Sequence, residues 1–190
     1  MRMIVRFMVA LAALCFSTSA PAQTQAAPTG QESPMRAPFD LKLHIDKNPE
    51  RPEFVRHFEQ TPYAEGGKVY VYAGERIGIN VTLKDGQIVS VTYGPDSSTS
   101  DISFSLKQEQ IKEDFNIMML VTRNGLKRTL TFDAAMIIPE GTIPEGKGPI
   151  KTGISPVDPG QSGYESWPNP IIRMVLSNFK LTDAATAAQK

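Results

Sequence analysis

Cysteine is almost missing from this chain of 190 residues. The one thiol, Cys15, lies within the first 22 residues, so the rest has no disulfide, no iron–sulfur ligation and no thiolate metal site. Histidine is nearly as scarce. His44 and His57 stand alone, without a Glu-x-x-His pair, and give zinc or iron no ligand set. No cofactor and no metal are expected. There is no basic run, and neutralising phosphates takes concentrated Lys and Arg, which argues against nucleic-acid binding. No apolar run reaches the roughly 20 residues of a membrane-spanning helix.

The first 22 residues carry the clearest signal. Arg2 and Arg6 precede a short apolar run over 7–16, and small residues follow to Ala20-Pro21-Ala22. A charged start, a short apolar core and an A-x-A site predict a secretory signal peptide, cleaved near Ala22-Gln23. Leu14 stands before Cys15, where a lipid-anchoring signal wants a small residue. Exported eukaryotic domains of small size are usually stapled by disulfides, so a cysteine-free one points to a bacterial periplasm. Taking Arg2 and Arg6 from the 20 Lys+Arg leaves 18 against 20 Asp+Glu, a formal charge of −2.

Residues 23–38 are polar and small and read as a flexible leader; 183–190 read as a disordered tail. Between them, over 39–182, the dominant period is two. Phe39, Leu41, Leu43 and Ile45 alternate with polar residues, as do Val69 and Val71, then Ile77, Ile79, Val81 and Leu83. Asp85-Gly86 leads into a further alternating run over 88–93, a strong hairpin signal because a type I′ turn needs positive φ at both central residues. Ile102, Phe104 and Leu106 continue the pattern, and 116–123 is apolar on both faces, as in a central strand. Asn124-Gly125 predicts a second hairpin into Leu126–Phe132 alternation, and a last strand covers 171–176 with a continuation to 181. Seven or eight strands with such turns predict an all-β, antiparallel, immunoglobulin-like β-sandwich, with a β-barrel as the alternative.

Residues 52–60 are expected to form one short helix: Pro52 suits a first helical position, Phe54 and Phe58 stand four apart, and Pro62 stops it. It would cap an open end of the sandwich. Residues 139–170, rich in glycine and proline, read as a long loop, either functional or simply a crossing between sheets.

Motifs of catalysis are near misses. Gly141 to Lys147 matches the start of a P-loop, but Gly148 replaces the Ser or Thr that would reach magnesium. Gly160-Gln161-Ser162-Gly163 is one residue short of a hydrolase elbow. Glu109, Glu113 and Asp114 form an acidic group in what reads as a solvated link, Asp96 and Asp101 flank a serine-rich tip with at best a weak calcium site, and Met118, Met119, Met136 and Met174 suit core filling. Asn80-Val81-Thr82 is a glycosylation sequon of consequence only in a eukaryotic secretory pathway.

One group stands out: Tyr164, Trp167 and Asn169, in a proline-stiffened stretch before the last strand. Rigid aromatics there could dock a partner or stack on a sugar, or Trp167 could plug the core. The expectation is a non-enzymatic exported protein that binds another protein or an envelope component, through sheet edges and the 139–170 segment. The alternative is a small-molecule or glycan-binding module with Tyr164 and Trp167 as a stacking platform. A hydrolase built on His44 or His57 ranks third.

Overall fold

Alternating apolar residues become strands along nearly the whole folded region. The computed structural model describes residues 34–45, 53–112, 115–140 and 148–183, all within one unit, Glu32–Lys190. The expected signal peptide, the P-loop-like stretch 141–147 and residues 184–190 of the expected tail lie outside the described residues.

In chain order the strands are β1 (Met35–Arg36), β2 (Phe39–His44), β3 (Glu53–Phe58), β4 (Thr61–Pro62), β5 (Ala64–Glu65), β6 (Lys68–Tyr72) and β7 (Arg76–Lys84). There follow β8 (Gln87–Gly94), β9 (Ile102–Lys112), β10 (Phe115–Asn124), β11 (Thr129–Ile137), β12 (Ile150–Thr152), β13 (Ser162–Trp167) and β14 (Arg173–Thr182). Two five-stranded antiparallel sheets dominate, in the orders β13-β10-β9-β7-β8 and β12-β11-β14-β6-β5. The arrangement is all-β and consistent with a sandwich, with more strands than the seven or eight expected. Ile79, Phe104, Leu106, Met118 and Leu120 of the first sheet meet Val69, Val71, Leu130, Met174 and Leu176 of the second in one core. Phe104 reaches across to Phe132 and Phe179, with ring centroids 5.5 and 6.2 Å away.

The Asp85-Gly86 hairpin forms as its sequence requires: both residues have positive φ, 52° and 73°, and Lys84 pairs with Gln87. Asn124-Gly125 does something else. It is not a hairpin, because β10 and β11 lie in different sheets. Asn124 is fully buried; its amide donates to the carbonyls of Arg128 and Val157, each at 2.9 Å, and its Oδ1 accepts the Leu126 N–H. The side chain thus satisfies backbone groups where the chain crosses between sheets. Gly125 is required by space, since a Cβ there would stand 2.8 Å from the Asp101 carbonyl oxygen.

The expected helix at 52–60 is instead strand β3, paired with β2. Residues four apart share a face in a strand as well as in a helix, so Phe54 and Phe58 fit both periods. Pairing decides: Phe58 lies opposite Phe39 and Phe54 opposite Leu43, with the aromatic and branched residues that a pleated surface favours. Leu41 and Leu43 are buried in the core, and Phe39 and Phe58 pack on Tyr72 at 5.1 and 5.0 Å. A hairpin therefore does the packing expected of the helix. Gln108 of β9 holds its end, accepting the His44 N–H at 2.9 Å and donating to the His44 carbonyl at 2.8 Å.

The expected leader over 23–38 reaches too far. Met35 and Arg36 pair with Pro62 and Thr61, and Arg36 is 3% exposed. Its guanidinium forks onto Glu75, Nε to Oε1 at 2.5 Å and Nη2 to Oε2 at 3.0 Å, and also donates to the carbonyls of Pro62 and Tyr70. Tyr63 and Tyr72 supply aromatic faces 4.1 and 5.0 Å from it. A buried charge is tolerable when paired and hydrogen-bonded this fully. Tyr63 stacks in turn on Tyr93 at 3.8 Å, and burial with the hydrogen bond to Tyr93 raises its phenol above the ordinary value.

Candidate binding face

The stretch 139–170 is not one loop: it contains β12 and β13. Among the described residues strand β13 pairs only with β10, so it forms an edge of their sheet. Its inner face is Gly163, Glu165 and Trp167. The Trp167 indole donates to Thr152 Oγ1 at 2.9 Å and its ring packs against the core; Glu165 accepts the Ser155 N–H at 2.8 Å. Val157 lies so close over Gly163 that a Cβ there would come within 2.8 Å of it.

Tyr164 points the other way and is 67% exposed. It stands opposite Val121 of β10, with Met119 opposite its neighbour Ser166. The outward row of β10 continues through Ile117 to Phe115, which is 42% exposed. On the far side of this row Ser105, Lys107 and Glu109 of β9 face Val121, Met119 and Ile117, with Lys107 and Glu109 in contact as an ion pair. Among the described residues an apolar strip therefore runs between a charged pair and the β13 edge of the sheet. Both-face apolarity over 116–123 did signal this row, but the strand pattern alone reads as a central position.

Of the three residues singled out in the sequence, Tyr164 belongs to this strip. Trp167 does not, and Asn169 lies in the bend after β13. Because the two rings face opposite sides of one strand, they form no common stacking platform.

The remaining candidates stay apart. His44 and His57 share the exposed face of the β2–β3 hairpin, opposite Glu53 and Asp40 respectively. His57 Nδ1 is 2.7 Å from Asp40 Oδ1, and that hydrogen bond raises its pKa above 6.5. The Gly160 turn, with φ +71°, opens into strand β13 and not into the helix a hydrolase elbow needs. Asp96 caps its own turn through the Ser98 N–H and hydroxyl, which lower its pKa, while Asp101 accepts the Val81 N–H. Glu109 lies in β9 and not in a solvated link; Glu113 and Asp114 are outside the described residues. Met118 and Met174 are core, whereas Met119 is in the outward strip. Among the described residues no three His, Cys, Asp or Glu side chains converge as a metal site, and no helix is long and apolar enough to cross a membrane.

The fold and face are those of an all-β protein whose described residues leave a partly apolar sheet edge at β13. Comparison with protein-family models, curated proteins and solved structures finds no match to this chain.

Proposed function

We propose that this chain is an exported, immunoglobulin-like β-sandwich protein of the periplasm that binds another protein, without catalysis, at the β13 edge and the adjoining outward row of β10. The observation that carries the reading is Tyr164, two-thirds exposed on an edge strand beside Val121 and Met119. An edge strand offers unpaired N–H and C=O groups to an incoming strand, and apolar side chains beside it supply contact area. Exposed apolar surface of this kind commonly marks an interaction site, and tyrosine is among the residues that most often dominate binding energy. The signal-peptide pattern over residues 1–22 supports the exported part of this reading.

The test is co-purification of the chain from the envelope fraction of its own host. Met119→Lys places a charge in the strip while leaving the core untouched. A partner retained by the natural chain and lost with Met119→Lys, at an unchanged unfolding midpoint, supports the proposal. A partner retained equally by both sinks it.

A further inference from the structure

The opposite edge of the same sheet carries a second feature. A cleft of about 550 Å³ opens between Gln87–Val91 of β8 and Ser177–Lys180 of β14, with the Gly66-Gly67 turn and Lys68 at one end. Its size lies in the range of ligand sites, but its shape is set by five consecutive residues of an edge strand.

The local sequence builds it. Val89 is the extra residue where the β7–β8 register shifts between Thr82 and Leu83, and a bulge bends the strand that carries it. Asn178 on the opposite wall has φ +54° where the β11–β14 register shifts, and its amide nitrogen donates to Asp133 Oδ2 at 2.6 Å. Gly66 and Gly67, at φ +56° and +74°, make a turn without side chains at the rim.

The charge lining the cleft has one sign. Lys68 and Lys180 are its only ionisable lining residues, and among the described residues neither has an ion-pair partner. Glu65 lies opposite Lys68 on β5 but does not line the cleft. Ser90, Ser177 and Gln87 add hydroxyl and amide groups, and Val89 is 58% exposed.

From this complementarity we propose that the cleft binds an extended acidic peptide segment of a partner, laid along β8 with its carboxylates toward Lys68 and Lys180. An extended chain suits a wall made by an edge strand, whose free backbone groups give affinity while side-chain positions give selectivity. Two lysines without internal partners favour Asp and Glu in that segment and make the binding salt-sensitive. The site is separate from the β13 face, and either can fail without the other.

The experiment is selection of a random peptide library on the full chain, repeated on the Lys68→Glu/Lys180→Glu double variant and on Met119→Lys. The expected result is enrichment of acidic peptides. Their affinity should fall about tenfold or more in the double variant, the scale of two reversed surface charges, and hold in Met119→Lys. Thermal unfolding of the double variant should match the natural chain, since both lysines are exposed. No enrichment, enrichment without acidic bias, or acidic peptides indifferent to the reversals would overturn the proposal. So would a dimer that the reversals dissolve, which would give the cleft to a second copy.

Discussion

Tyr164 and Trp167, three residues apart on β13, face opposite sides of the sheet: the tyrosine into solvent, the tryptophan toward Thr152 and the core. The alternation of a strand thus divides one aromatic motif into an exposed residue and a structural one. Trp167→Ala should cost about 2–3 kcal/mol, at or below the low end of about 3–5 for a buried aromatic truncation because the ring is only partly buried. Tyr164→Ala should stay within about 0.5 kcal/mol, as surface changes usually do. Urea unfolding of both variants checks the split; equal losses would contradict it.

Arg36 predicts the largest polar effect. Arg36→Met leaves Glu75 without its fork and should destabilise by about 3 kcal/mol, the low end for breaking a buried pair because Glu75 is partly exposed. Arg36→Lys should not restore stability, because an ammonium cannot reach both carboxylate oxygens and two carbonyls together. Denaturant midpoints of the two variants test this.

Gly78 and Gly94 pair across β7 and β8, and both make room for Ser100: a Cβ at either would come within 2.1 and 2.3 Å of its hydroxyl. Gly78→Ala should cost about 1–3 kcal/mol through overpacking. Adding Ser100→Gly should recover part of that loss. A purely additive double variant would contradict the steric account.

His57 offers a pH test. Its hydrogen bond to Asp40 raises the folded-state pKa above the ordinary 6.5. Folding therefore favours the protonated ring, so the pair's contribution to stability is complete below pH about 6.5 and is lost as pH rises through the folded pKa. An NMR titration should place the His57 midpoint above 6.5, and Asp40→Asn should lower it. An unchanged midpoint in that variant would remove the pair.

Much of the fold was legible because half-buried strands alternate. The runs through Leu41, Ile79, Phe104 and Leu130 became strands, and Asp85-Gly86 named its own turn. The misses share a cause, which is that tertiary partners decide what local sequence leaves open. Phe54 and Phe58 fit helix and strand equally until Leu43 and Phe39 pair with them. Asn124-Gly125 looks like Asp85-Gly86, yet its asparagine is buried to satisfy three backbone groups. Strand β13 lacks aliphatic alternation because its inner face is a glycine under Val157, a glutamate capping Ser155 and a tryptophan. Arg36 gave no signal at all, since a lone arginine in a polar stretch shows nothing of a carboxylate 39 residues away. At the candidate face, Tyr164 could be named from sequence; its neighbours Val121 and Met119 needed the register.

The most direct measurement is site-specific photocrosslinking in the native host, with the reactive group at position 164 and, as a control on the exposed face of the β2–β3 pair, at Lys42. A discrete protein adduct from position 164, missing from position 42 and weakened by Met119→Lys, is the predicted result. No adduct at 164, or the same adducts from both positions, would contradict a protein-binding role for the β13 face.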